Sequence, residues 1–362
     1  MKRLLTPDLA RGSMLALIAL ANSAVYLYGR PYGVRQHIVE TGLADRLYSA
    51  FQVTFVDARA YPMFAALFAY GVARMTPQRA RSRNRWLILF GFVHAVLLFP
   101  GDVLGLYGLL GFALVALSRV KDRTLLVLAV AWLVPTAVVQ GAAYSGAPQA
   151  ERTFFWSFEE ADPLTAIALH PVEWLMTPFG LMGVGSAALA GVWAARRNVL
   201  AEPESHRRLL RHTATWGITA AVLGGLPSGL AVGHFWDSSQ LGALAAVHTV
   251  TGVAGGLGYA ALIALITMRI KRRTAVVNAI AACGERSLSC YLFQSVVFVV
   301  LLVPYTFGLG GTLSSTGAAL VALATWLASV LLADLLRRHD LPGPAEALLR
   351  KLRKPETAKL TA

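Results

Sequence analysis

Long apolar runs with almost no charge inside them constrain this chain more than any other feature. The stretch from Phe90 to Gly108, "FGFVHAVLLFPGDVLGLYG", is typical. Within residues 86–117 the only ionisable side chains apart from tyrosine are His94 and Asp102. A helix needs about 17 to 25 apolar residues to cross a bilayer, and several runs reach that length. Hydrophobic residues make up 56% of the 362 and charged residues 14%, against roughly 25% charged in soluble domains. The expected fold class is all-α, a polytopic helical membrane protein. Its spans are expected near residues 13–29, 61–73, 86–99, 103–117, 124–141, 173–195, 213–232, 242–268, 287–305 and 314–336.

The basic residues test that count. With the N-terminus inside, all of the 33 lysines and arginines fall on the inner side except Arg30, Arg35, Arg46, Arg59 and Arg152. Cytoplasmic loops carry such an excess, and removing one span would reverse every later loop and destroy it. About ten helices with both termini cytoplasmic are therefore expected, in a bacterial cytoplasmic membrane. The net charge of +14 reads as orientation, and no nucleic acid is expected as a partner. Met1-Lys2-Arg3 starts basic, but Asp8 and Arg11 flank a run with no clear small-residue cleavage site, so no cleavable signal peptide is expected.

Residues 1–341 read as a single transmembrane domain with an outer loop at about 142–172. Residues 342–362 read as a short basic amphipathic cytoplasmic tail. In it Ala345, Leu348, Leu349 and Leu352 share one face, while Arg350, Lys351 and Arg353 meet headgroups. Upstream, "ADRLYSAFQVTFVDARA" fits an interfacial helix leading into the second span. Cys283 and Cys290 lie about 10 Å apart along a straight helix, too far to bridge, and read as packing thiols.

Ionisable groups at membrane depth are costly and point to function. His94, expected near mid-depth of the third span, reads either as a core histidine bonded to a neighbouring helix or as a general base. Pro100-Gly101 is the expected outer turn. Asp102 then caps the fourth helix, or orients a histidine, or holds a substrate hydroxyl. Asp57 and Arg59 form an interfacial pair or part of a substrate pocket. His248, followed by small residues, reads as packing. "GLYGLLG" places Gly105, Gly108 and Gly111 as helix-packing residues and not as a phosphate cradle. No zinc spacing, P-loop or nucleophile elbow occurs, the histidines offer no matched haem pair, and no metal is expected.

Several blocks carry a family resemblance. "PDLARGSMLALIALAN" (Asp8, Arg11, Gly12, Asn22) resembles the opening of the DUF418/YeiB-like membrane proteins. So do "YPMFAALFAYG" (Pro62, Phe64, Phe68, Gly71) and "RWLILFGFVHAVLLFPGDVLGLYGLLG" (Arg85, Gly91, His94, Gly101, Asp102, Tyr107). "GERSLSCYLFQS" (Gly284, Leu288, Tyr291, Gln294, Ser295) and "GPAEALLRKL" continue the series in order. Ser289-Cys290 stands where the family has Thr-Asn, and Ala347 and Leu349 stand where it has tryptophans. More remotely the chain resembles the transmembrane acyltransferase superfamily of the heparan glucosaminide acetyltransferase kind. There Asp57 to Gly71, "DARAYPMFAALFAYG", resembles a "D-x-x-F-P-x-F-x-F-x-x-G" element with one residue extra. The histidine that such enzymes carry shortly before the aspartate has its nearest counterpart in His37, twenty residues upstream.

That resemblance implies movement of an acyl group from cytoplasmic acyl-CoA or acetyl-CoA to an extracytoplasmic or membrane-bound acceptor. His94 or His37, oriented by Asp57 or Asp102, is then the base. Arg11, Arg79, Arg81, Arg83 and Arg85 hold the CoA phosphates, or serve only to set topology. Arg59, Tyr107, Tyr291 and Gln294 are the candidates for holding the acceptor, a small molecule or glycan. The other expected partner is the lipid bilayer, and a homodimer is compatible with the same reading. The rival function is export or transport of a small metabolite, whose signature would be inverted repeats and discontinuous helices around a midplane site. No internal repeat is visible in the sequence.

Overall fold

The computed structural model describes residues 4–353, and those residues form an all-α bundle without strands. The outermost ends of the chain, including Lys2, Arg3, Lys354 and Lys359 and the last part of the expected tail, lie outside the described residues. The helices are α1 (Leu5–Val25), α2 (Leu43–Phe55), α3 (Ala60–Ala73), α4 (Pro77–Leu97), α5 (Leu104–Ala116), α6 (Asp122–Ala131) and α7 (Leu133–Ala143). After the long loop come α8 (Pro163–Gly180), α9 (Val184–Arg196), α10 (Arg207–Val232), α11 (Leu241–Arg269), α12 (Ala275–Glu285), α13 (Ser287–Leu302), α14 (Ser315–Arg338) and α15 (Pro344–Leu352).

Four segments are long and apolar enough to cross a membrane: α6–α7 as one unit, α10, α11 and α14. Two further pairs pass only together and are bent, α8–α9 by 62° and α12–α13 by 86°, which brings the number to six. The remaining expected runs are also helical. Lipid-facing surfaces are legible in the exposed apolar stripes: Val127, Val130, Val134 and Val138 on α6–α7 are all more than half exposed.

α10 and α11 form the most extensive antiparallel pair, α3 packs on α9 and α11, and α1 lies against α12 and α14. The α4–α5 hairpin closes as tightly as it does because of its glycines. A Cβ on Gly91 would collide with the Gly105 backbone and lie 2.5 Å from the Asp102 carboxylate. One on Gly111 would meet the Asn84 amide, also at 2.5 Å. The "GLYGLLG" glycines thus serve helix packing, as expected.

Three local expectations change. His94 stands in the last turn of α4, which ends at Leu97, and not near mid-depth of a span. The helix carrying the cysteines breaks between Glu285 and Ser287, so straight-helix spacing does not apply. Both free, buried thiols converge on Ser329, with Cys283 Sγ 3.9 Å from its hydroxyl and Cys290 Sγ 3.8 Å from its carbonyl. α15 does not lie loose on the surface. Ala345 and Leu349 are buried, while Leu348 and Leu352 face outward. Glu346 accepts from the Leu288 and Ser289 amides (2.8 and 3.2 Å), satisfying orphan donors at the start of α13. α2 matches the interfacial helix, burying Ser49, Gln52 and Val53 while leaving Leu43, Leu47 and Phe51 exposed along one stripe.

Candidate functional site

Where α1, α2, α7 and α8 terminate, the helices splay around a cavity of about 390 Å³. That volume lies within the range of small-molecule sites, about 300–1,000 Å³. Its wall combines the end of α1, the loop before α2, the α2–α3 turn, the α4–α5 turn, the end of α7, the 152–156 segment and the second half of α8.

The loop before α2 is folded back on itself. Tyr32 and Ile38 form an isolated antiparallel bridge, and the Gly33 amide donates to the His37 carbonyl at 2.8 Å. The tip turns through Arg35 and Gln36, both left-handed at φ 57° and 59°. The 142–162 loop clamps it. Thr153 N–H donates to Gln36 Oε1 at 2.7 Å, and Tyr32 N–H to the Ala150 carbonyl at 3.0 Å. The Tyr32 hydroxyl donates to Glu159 (2.8 Å) and accepts from Arg152 Nε (2.9 Å), and burial pushes this phenol up. Ala58 in the α2–α3 turn and Phe155 in the clamp are also left-handed, at φ 59° and 58°. Such conformations cost about 1–3 kcal/mol each and gather at functional sites; here all four lie on or beside one cavity.

This folding brings His37 to Asp57. His37 Nε2 lies 3.2 Å from Asp57 Oδ2, and Gln52 Nε2 donates to Asp57 Oδ1 at 3.4 Å. Both members of the pair line the cavity. An imidazole held through one nitrogen by a carboxylate has the arrangement of an oriented general base.

A second pair lies behind the wall. His94 Nδ1 is 2.8 Å from Asp102 Oδ1, and His94 Nε2 is 2.8 Å from the Ser295 hydroxyl on α13. Asp102 Oδ2 accepts from Gly105 N–H at 2.8 Å, so the carboxylate caps α5 and holds the imidazole at once. Serine, histidine and aspartate thus stand in the order of a nucleophile, a base and its orienting group. None of the three lines the cavity, and Phe99, edge-on to the His94 ring at 6.4 Å, stands in its wall.

The other expected site residues are dispersed. Arg59 does not pair with the Asp57 carboxylate, which His37 and Gln52 occupy. Its guanidinium donates to the Asp57 and Ala221 carbonyls, both at 2.5 Å, and meets the His248 ring at 3.0 Å, fully buried. The small residues after His248 let α11 approach α3, as expected: a Cβ on Gly256 would sit 2.7 Å from Met63 N. Tyr107 gives its hydroxyl to the Tyr61 carbonyl at 3.0 Å. Gln294 reaches the Leu15 carbonyl at 3.5 Å, and the Tyr291 ring lies 5.0 Å from His94. Tyr107, Tyr291 and Gln294 are buried outside the cavity wall. At the opposite end of α4, Arg79, Arg81 and Arg85 are exposed, and Arg83 lies over the Phe68 ring at 4.8 Å. Arg11 is 3.6 Å from Asp8.

Sequence reasoning passed over Ser295 as a partner of His94, although it closes the "FQS" block. It also passed over Arg35, Gln52 and Tyr61 in the cavity wall. Tyr61 and Gln52 flank Asp57 in sequence, whereas nothing in the sequence marks Arg35 beyond its place among the few arginines expected on the outer side.

Residues 194–354 match the family model described as "Protein of unknown function (DUF418)". Over its length the chain is similar to "Uncharacterized protein YxaH" of Bacillus subtilis (strain 168), 23% identical over 82% of this chain and 79% of that protein. It is also similar to "Uncharacterized protein YeiB" of Escherichia coli (strain K12), 24% identical over 97% of this chain and 96% of that one. The motif resemblance, the family match from α9 to α15 and the near full-length similarity to YeiB all point to the DUF418 proteins as what this chain is similar to.

Proposed function

We propose that this protein is a membrane-embedded acyltransferase-like enzyme that moves an acyl group from cytoplasmic acyl-CoA to an acceptor in the outer cavity. The observation that carries it is the His37–Asp57 pair on the wall of a 390 Å³ cavity. In this reading the chain crosses the bacterial cytoplasmic membrane ten times with both termini inside. The ten helical runs and the one-sided basic residues support that topology. His37, held by Asp57, takes the proton of an acceptor hydroxyl or amine. The acceptor lone pair attacks the thioester carbonyl carbon, the C–S bond breaks, and the CoA thiolate leaves with the proton returned from the imidazolium. The CoA phosphates would meet Arg79, Arg81, Arg83, Arg85 and Arg11 at the other end of α4. Arg83 to His94 spans about 16 Å by helical rise, so the thioester arm would have to enter the bundle between them. His94 and Asp102 act in this scheme as positioning residues that fix the α4–α5 turn in the cavity wall.

The test is acetyl-CoA binding and consumption by purified protein in detergent, wild type beside His37→Asn and Asp57→Asn. Saturable binding, with turnover lost in folded variants, is the expected result. Absence of acetyl-CoA binding by folded wild type would overturn the proposal.

Transport is the second reading, and one observation favours it. α8–α9 is a discontinuous helix bent by 62°, and Gly180 and Leu181 at its break lie in the cavity wall. Broken helices beside a ligand cavity are a transporter device.

A further inference from the structure

Among the described residues, the cavity wall contains one charge left without a hydrogen-bond acceptor. Arg152 donates to the Tyr32 hydroxyl and to the Val25 and Leu27 carbonyls. Glu173 accepts from the Ser157 amide and hydroxyl, at 2.9 and 2.6 Å. Both oxygens of Asp57 are taken by His37 and Gln52. Arg35 differs. Its Nε and Nη1 are buried with no acceptor in reach, and its one close partner is the Tyr144 ring, 5.0 Å from the guanidinium carbon. A ring face attracts the cation but accepts none of its in-plane N–H groups. Buried guanidinium N–H groups without acceptors are unfavourable unless an anion or water supplies them.

The surroundings add to this imbalance. Arg35 is close enough to Arg59, Tyr61 and His248 for its charge to be felt at each, and His37 follows two residues later. Asp57 is the carboxylate among these groups, and it is already shared by two donors. Arg35 is also fixed in place. It occupies a left-handed position at the tip of a bridged loop, clamped through Gln36 to the 142–162 segment. Beyond the guanidinium the wall turns apolar, through Val25, Phe99, Val139, Phe155 and Leu181.

We propose that the cavity binds an amphipathic anion, with a phosphate or carboxylate on Arg35 and an apolar body against Phe99, Val139 and Leu181. The planar guanidinium suits either oxyanion. This rests on the acyl-transfer reading only in making that anion the acceptor; binding itself requires no acyl-CoA. The anionic group comes either from a lipid headgroup or from a small free metabolite.

The experiment is titration calorimetry on the full-length protein in neutral detergent, without acyl-CoA. The probes are hexyl phosphate and hexanoate, with hexanol as the uncharged control. Saturable binding of at least one anion is expected, ten-fold or more tighter than hexanol. Arg35→Gln is expected to weaken the anion at least ten-fold and leave hexanol unchanged, with Arg35→Lys between the two. If Arg35→Gln does not fold, Arg35→Lys and Tyr144→Leu, which frees the guanidinium to swing, are read in its place and are each expected to weaken the anion. Failure of wild type to bind either anion, or equal affinity in all folded Arg35 variants, would overturn the proposal. Inorganic phosphate and nanodiscs containing phosphatidic acid then separate the sources. Whichever competes with the hexyl anion in wild type and not in Arg35→Gln identifies a free or a lipid-borne ligand. The two proposals fail separately: absence of acetyl-CoA binding by folded wild type sinks acyl transfer and leaves the Arg35 measurement, made without acyl-CoA, standing.

Discussion

His94–Asp102 and His37–Asp57 each place an imidazole within hydrogen-bond distance of a carboxylate, at 2.8 and 3.2 Å. Their environments differ. The first pair exposes 1% and 0% of its side chains, has both ring nitrogens occupied and joins three helices, α4, α5 and α13. The second exposes 12% and 15%, uses one ring nitrogen and belongs to a loop and a turn. A sealed and fully bonded histidine contributes to stability, because every partner it loses stays buried and unpaired. A histidine beside a cavity, held on one side only, can exchange a proton with whatever enters. Identical chemistry thus sits in opposite environments according to what packs over it.

The largest effect that tests this contrast is on stability. His94→Ala strands the Asp102 carboxylate and the Ser295 hydroxyl in the core, and removing one member of a buried pair costs about 3–5 kcal/mol. Thermal unfolding in detergent should show that loss, and an unchanged melting temperature would dissolve the distinction between the pairs. His37→Asn should do the reverse. Acetyl-CoA turnover is expected to fall at least 100-fold, about 2.7 kcal/mol, while stability shifts by less than about 1 kcal/mol.

Ser295→Ala sharpens the comparison further. It removes the partner of His94 Nε2 and should cost about 1–3 kcal/mol with turnover retained. Turnover lost at unchanged stability would instead make the buried serine, histidine and aspartate the reacting group. The smallest effect concerns the clamp over the cavity. The Thr165 backbone N–H, followed by its hydroxyl, holds the Asp162 carboxyl below its ordinary range where it caps α8. Its folded pKa is depressed, so its contribution is present above the unfolded value near 4 and is lost as pH falls through the folded one. Asp162→Ala should therefore lower the melting temperature slightly at pH 7 and not at all at the acid end, which paired melts at the two pH values will reveal.

The sealed pair was partly legible in the sequence. Eight residues across a Pro-Gly turn bring a histidine and an aspartate to facing helices, and Asp102 does cap its helix. Ser295 was not legible as their partner, because it arrives from 201 residues away on another helix. The cavity pair was visible only through the family resemblance. The twenty residues between His37 and Asp57 contain α2, and their approach depends on how the loop before it folds back. Arg59 beside Asp57 invited an ion pair, but His37 and Gln52 take the carboxylate and the guanidinium turns to His248 and two backbone carbonyls.

What the sequence by itself determined is the order and apolar character of the helices and the apolar stripe along α2. These follow from hydropathy and charge along a single strand of chain, where neighbours in sequence are neighbours in space. Tertiary structure alone decided which histidine meets the cavity, where α8–α9 and α12–α13 break, and that Arg35 points its charge at no protein acceptor. Those outcomes depend on contacts between loops far apart in the chain and on left-handed backbone at Arg35, Gln36, Ala58 and Phe155. No local residue preference specifies such conformations, because they are strained and persist only when the surrounding packing holds them.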